Sequence, residues 1–131
     1  EKLQPISLKT MPFPGFPTDM QAPFMSLLST IKGMSVITET VFENRFIHAA
    51  ELQRMGAKIN IESRSAMIEG VDKLTGTQVK ASDLRGGAGL ILSALAAEGK
   101  TEISDIYHIE RGYYHIEQKL KKIGADIVIK P

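Results

Sequence analysis

"SDLRGGAGLILSALAAEG", residues 82–99, decides how the chain folds. Its glycines fit neither G-x-x-x-x-G-K-[ST] nor G-x-G-x-x-G, so it is not a phosphate-cradling loop of either kind. It reads instead as a helix: Asp83 as N-cap, Leu84, Ala88, Ile91, Leu92 and Leu95 as apolar positions, and Gly99 as the stop. Almost no polar face remains. A helix that is apolar all round is covered on all sides, which predicts helices inside and sheet outside.

The same signals recur upstream. Asp19, Gly33, Arg45 and Gly56 match Asp83, Gly99, Arg111 and Gly124 at offsets of 64 to 68 residues. The chain therefore reads as two copies of one unit, about 10–76 and about 77–131, each running helix, strand, helix, strand. In the first copy Asp19 precedes a stripe of Phe24, Leu27, Leu28 and Ile31, closed by Gly33, with Pro23 in the first turn where a missing N–H costs little. The second helix of each copy is predicted to start near Arg45 and Arg111 and to end at "RMGA" (54–57) and "KIGA" (122–125). Its stripe is clearest through Tyr113, Ile116, Leu120 and Ile123. Strands are predicted over 35–39, 58–62, 65–70, 101–105 and 126–130, with the cleanest alternation at Ile59, Ile61 and at Ile127, Ile129. Residues 71–81 read as a turn-bearing link, and "MPFPGFPT" (11–18), with three of the six prolines, as a stiff lead-in.

Composition narrows the function. The 131 residues suffice for one core, and 16 basic against 15 acidic side chains, interspersed along the chain, form no basic stripe for nucleic acid or a membrane surface. Cysteine is absent, which removes disulfides, thiolate metal sites and a cysteine nucleophile from this chain and points to a reducing cytoplasm. No apolar run approaches the ~18 residues of a membrane span, and "EKLQPISLKT" has no signal-peptide core. Glu1 in place of an initiator Met leads to the expectation that the chain is a piece of something larger.

Three of the five arginines, Arg45, Arg85 and Arg111, fall at or within the first turn of a predicted helix, where the dipole disfavours cations by about 0.3 kcal/mol or more. A bound anion reverses that sign, because helix N–H groups and a guanidinium fork then hold one carboxylate or phosphate together. Ordinary surface salt bridges are the competing explanation for each arginine alone; three at equivalent places favour an anion site. Asp19 and Asp83 are each explained as N-caps, worth ~1 kcal/mol. Either is also placed to accept a hydrogen bond from a substrate hydroxyl as a general base. His48, His108 and His115 show no metal-ligand spacing with carboxylates and are expected in surface or half-buried structural roles. The serines of "SLLST" (26–30) lie on no nucleophile elbow.

The strings "PGFPTDMQAPFMSLLS", "ITETVFENRF", "ELQRMGA", "KLTGTQVKASDLR", "SALAAEG" and "IYHIERGY", in order along nearly the whole chain, closely resemble the C-terminal part of the UDP-N-acetylglucosamine 1-carboxyvinyltransferases. The resemblance implies a cytosolic bacterial enzyme. It would transfer the enolpyruvyl group of phosphoenolpyruvate to the 3-hydroxyl of UDP-N-acetylglucosamine, with release of phosphate and no cofactor, at the opening of peptidoglycan synthesis. It also implies an α/β (α+β) fold in which βαβαββ-type repeats build an inside-out barrel, three repeats to a domain, of which this chain would hold two. Carried over by motif, Asp19 contacts the sugar hydroxyl and is the candidate base. Val41 and the adjacent Phe42 lie at the nucleotide sugar; Arg45, Arg85 and Arg111 line the phosphoenolpyruvate site; Asp83 orients an arginine or assists proton transfer.

The chain departs from that family in what it lacks. The family's mobile cysteine loop and the lysine and asparagine of its phosphate site have no counterpart here, so the remainder of such an enzyme is the expected partner and the 131 residues alone are expected to be inactive. Two other readings stand beside this one: a non-catalytic anion-binding or structural subdomain, and a relative acting on shikimate 3-phosphate.

Overall fold

A computed structural model describes residues 2–131. Helix α3 (Leu84–Ala96) begins where extended Asp83 accepts a hydrogen bond from the Gly86 N–H at 3.3 Å, and the chain turns away at Gly99, whose φ of +81° suits a residue without Cβ. Its counterpart α1 (Gln21–Leu28) is entered through a 3-10 turn, Thr18–Met20, and followed by Gly33 at φ +117°. Asp19 lies inside that turn and caps nothing, which corrects the N-cap expectation. Pro17, with its fixed φ and missing N–H, takes the cap position and starts the turn early, so Asp19 falls within the first turn instead of at the cap.

Each long helix crosses between two parallel strands. β1 (Ser7–Lys9) pairs parallel with β2 (Met34–Thr38) across α1, and β5 (Gln78–Lys80) pairs parallel with β6 (Glu102–Ser104) across α3. β5 falls inside the stretch expected to be only a link. In the first unit α2 (Ala49–Arg54) leads to the antiparallel hairpin β3 (Lys58–Glu62) and β4 (Ser65–Glu69), giving the sheet order β1-β2-β4-β3. In the second unit α4 (Tyr107–Glu110) and α5 (Ile116–Lys122) follow β6.

The two long helices pack on each other at the centre of the chain. Their backbones touch at Gly89, where the Ser26 hydroxyl donates to the Gly89 carbonyl at 2.7 Å and a Cβ would lie 3.0 Å from the Ala22 carbonyl oxygen. Below this crossing Met25, Leu28, Leu52, Met55, Leu74 and Leu90 join Ile37 and Ile68 of the sheet in one buried cluster; Ala81, Ile91 and Ile109 form a second. The two long helices lie inside, packed against the sheet residues of that first cluster, whereas α5 buries no residue. Among the described residues no helix is long and apolar enough to cross a membrane.

Three local expectations change. The buried face of α1 is Ala22, Met25 and Leu28, while Leu27 is exposed, because α3 crosses on the Ala22–Ser26 side. On α3, Leu92 and Leu95 remain 46% and 44% exposed, so this helix is covered on one side rather than all round. Residues 126–130 form no strand. β4 flanks β2 in the first unit, but β6 pairs only with β5, and the isoleucine-rich segment finds no ladder for its N–H and C=O groups. An apolar cleft of about 970 Å³ separates Ile127 and Ile129 from Ile91, Leu95 and Ile103.

Gly89→Ala should destabilise the chain by about 1–3 kcal/mol, since the methyl must push α1 and α3 apart. Urea unfolding midpoints, compared with Ala88→Gly as a control on the same helix, measure it; an unchanged Gly89→Ala midpoint would show that the crossing tolerates a Cβ.

Candidate functional site

Every candidate side chain follows the carboxyl end of a parallel strand: Asp19 after β1; Val41, Phe42 and Arg45 after β2; Asp83 and Arg85 after β5; Arg111 after β6. Parallel crossovers put strand ends and following helix starts at one edge, which is where such folds hold ligands.

The first pairing the structure makes there joins the starts of α1 and α3. Arg85, in the first turn of α3, donates through Nε to the Asp19 carboxylate in the turn before α1. The pair is too exposed to stabilise the fold by more than about 1 kcal/mol. Its consequence is positional: a guanidinium with further N–H groups free to grip an anion stands beside a carboxylate able to accept from a hydroxyl.

Behind Asp19 lies a buried carboxylate that the sequence reading passed over. Glu39, 2% exposed, continues the inward alternation of Ser35 and Ile37 past the end of β2. One of its oxygens accepts from the Thr10 hydroxyl at 2.7 Å and from the Val41 and Phe42 N–H groups at 3.1 and 3.3 Å. The other accepts from the Thr18 hydroxyl at 2.8 Å and the Gln21 amide at 3.4 Å. Burial pushes this carboxyl upward, but the hydrogen bonds from Thr10, Thr18 and the two backbone amides outweigh it and hold it below its ordinary value. Gln21 also donates to the Arg45 carbonyl at 3.0 Å.

Arg45 precedes α2 by four residues, in a turn, and its guanidinium stands over the Phe42 ring at 4.3 Å. One of its terminal nitrogens, Nη1, is buried without a protein partner, a desolvated cationic donor suited to an anion. A cleft of about 630 Å³ beside it is lined by Glu39, Phe42, Asn44, Arg45 and Arg64. Arg111 is the C-cap of α4, with α5 beginning only at Ile116, so the expectation of an arginine at a helix start holds for Arg85 alone. Two short helices replace the single one expected, because Gly112 follows Arg111 and His115 takes a left-handed φ of +47°. Arg111 contacts His108 Nδ1 at 3.5 Å, and the adjacent Gly112 abuts Leu84, which brings this loop against the start of α3. Asp83 spends its carboxylate on the Gly86 N–H and, at 3.5 Å, the Ser82 hydroxyl.

His48 is buried rather than superficial, with Nε2 unpartnered, and packs under the first turn of α3: a Cβ on Gly86 would meet its Cβ at 3.0 Å. Among the described residues no group of three His, Cys, Asp or Glu side chains is placed to hold a metal ion.

Residues 1–120 match the family model of EPSP synthase (3-phosphoshikimate 1-carboxyvinyltransferase). The chain is 62% identical over 127 residues to the UDP-N-acetylglucosamine 1-carboxyvinyltransferase 1 of Clostridium perfringens, covering 97% of this chain and 30% of that protein. It is 57% identical over 126 residues to the enzyme of the same name from Staphylococcus aureus, covering 96% and 30%. Among solved structures it is similar to the enolpyruvyl transferase NikO from Streptomyces tendae, at TM-score 0.87 and 32% identity, covering 96% of this chain and 29% of that one. An EPSP synthase from Acinetobacter baumannii matches at TM-score 0.68 and 25% identity, covering 86% and 26%. The chain thus spans about 30% of the length of the relatives it matches.

The burial of His48 sets a pH dependence. Desolvation lowers its pKa from 6.5 to about 4, against a smaller upward pull from Asp83. The unfolded chain therefore takes up this proton first. Stability is full above about pH 6.5 and falls as the pH drops toward about 4, by on the order of 3 kcal/mol from this group. His48→Gln should flatten urea-unfolding free energies over that window; an unchanged slope would assign the acid sensitivity to other groups.

Proposed function

The chain belongs to the EPSP synthase family of carboxyvinyltransferases, and from that premise we propose that it is part of a UDP-N-acetylglucosamine 1-carboxyvinyltransferase. The reaction is transfer of the enolpyruvyl group of phosphoenolpyruvate to the sugar 3-hydroxyl, in the bacterial cytoplasm, at the start of peptidoglycan synthesis. The observation that carries the reading is the Asp19–Arg85 contact, which sets a hydroxyl acceptor and an anion-holding cation side by side on different repeats. Relatives at 57–62% identity that bear the nucleotide-sugar name favour this acceptor over shikimate 3-phosphate.

Transfer requires the sugar hydroxyl to lose its proton as its oxygen bonds to the phosphate-bearing vinyl carbon, and the bond from that carbon to the phosphate oxygen to break. Asp19 is the proton acceptor. Arg45, Arg85 and Arg111 hold the carboxylate and phosphate and stabilise the charge that gathers on the leaving group. Val41 and Phe42 form the sugar-facing wall, and Asp83 fixes the start of α3 and so the reach of Arg85.

A second reading, that these residues by themselves are a structural scaffold whose site forms only in a larger assembly, is favoured by the exposed Leu27, Leu92 and Leu95 and by the unpaired 126–130 segment. These features call for cover from other parts of a larger protein. An amide NMR titration of the chain with UDP-N-acetylglucosamine and with phosphoenolpyruvate separates the two. Shifts at Val41, Arg45 and Arg85 are expected if the half-site is preformed, and none if only the assembled enzyme binds.

In a full-length enzyme containing this segment, Asp19→Asn should lower kcat by about 10²–10⁴ with little change in KM for the sugar. Arg85→Ala should raise KM for phosphoenolpyruvate well beyond the effect of Arg54→Ala. Equal effects at Arg54 would remove the anion site, and a parallel assay with shikimate 3-phosphate tests the acceptor.

A further inference from the structure

We propose that Glu39 is a positioning residue of the transfer site: its buried carboxylate holds the turn bearing Asp19 and the loop bearing Val41, Phe42 and Arg45 in one fixed relation. The inference rests on the transferase reading and assigns a role to a residue outside the substrate-facing set.

Five donors converge on this one group. They come from three separate stretches of chain: Thr10 after β1, Thr18 and Gln21 on either side of Asp19, and Val41 and Phe42 after β2. An ionised carboxylate is acceptor only, with about four lone-pair sites, and is the one side chain able to satisfy such a set. The two oxygens divide the labour. The oxygen facing Thr10 also receives the two backbone N–H groups and shapes the 41–45 loop. The one facing Thr18 and Gln21 shapes the Asp19 turn and, through Gln21, reaches the Arg45 carbonyl. Thr10 closes the arrangement from outside, accepting from the Thr40 N–H at 2.9 Å through its hydroxyl and from the Thr40 hydroxyl through its carbonyl.

The chemistry makes Glu39→Gln selective. Backbone N–H groups cannot turn into acceptors, so the glutamine oxygen must stay with Val41 and Phe42. Its NH₂ then faces the Thr18 hydroxyl, which must turn from donor to acceptor, and the Gln21 Nε2, where a donor meets a donor, so the hydrogen bonding changes on the Asp19 side only. Thr18→Val severs that same branch without touching the carboxylate.

The experiment measures both variants and the double variant in a full-length enzyme containing this segment, and the Arg85 Nε–H resonance in the 131-residue chain. Expected are a kcat about tenfold or more below the unsubstituted enzyme for Glu39→Gln, KM values within about threefold, and a double variant no worse than Glu39→Gln alone. The Arg85 resonance should move in both single variants, reporting a displaced Asp19. An unchanged kcat in folded enzyme, multiplying effects in the double variant, or an Arg85 signal that stays in place would overturn the proposal. If the unsubstituted enzyme transfers no enolpyruvyl group, the transferase reading fails, and the Arg85 resonance alone decides whether Glu39 positions Asp19. Should Glu39→Gln not fold, Thr18→Val supplies the same kcat and resonance readings.

Discussion

The contact between α1 and α3 at Gly89 is the constraint on which the rest depends. Two helices approach closely enough for a side-chain hydroxyl to reach the opposing backbone only where one of them lacks a Cβ. The contact runs from Ala22 to Ser26 on α1 and meets the middle of α3, and so sets how the two helices, and their starts, sit against each other. Asp19 and Arg85 are neighbours for that reason alone: 66 residues apart in the chain, they are joined by helix packing beneath them. A site assembled this way inherits the rigidity of the core instead of the mobility of its loops.

The charges at this edge are arranged in two layers. Exposed Asp19, half-buried Arg85 and exposed Arg111 face outward, where an ion pair contributes little to stability and is free to exchange partners. Beneath them Glu39 is buried and fully occupied, so its negative charge organises backbone and hydroxyl donors without itself being available to ligand. The helix-dipole reasoning accounts for one arginine, Arg85. Arg45 instead owes its place to Phe42 beneath it and Gln21 behind it, and Arg111 to a cap between two short helices.

The second unit is the less finished of the two, and its loose ends share one cause. β2 has neighbours on both sides; β6 has one, and both Ile91 and Leu95 of α3 and the isoleucines of 126–130 border the uncovered space. A β-rich sequence becomes a strand only when a ladder is there to receive it. Ile59 and Ile61 found theirs in β4. Ile127 and Ile129, with the same alternation, did not.

The sequence by itself determined the capped start of α3, the glycine stops at Gly33, Gly56, Gly99 and Gly124, and the placing of the long helices inside, because these are written in local signals: a cap, a period, a residue that tolerates positive φ. It also held the family resemblance. Tertiary structure alone decided which face of α1 is buried, that Asp19 answers to Arg85 and not to its own helix, that Arg45 and Arg111 lie outside helix starts, and that Glu39 and His48 are interior. Those outcomes depend on partners that arrive from distant parts of the chain. A hydrogen bond from Thr10 to Glu39 or a packing contact from Gly86 to His48 leaves no periodic trace in the order of residues; it exists only once two separate strands and a helix have been brought to the same edge.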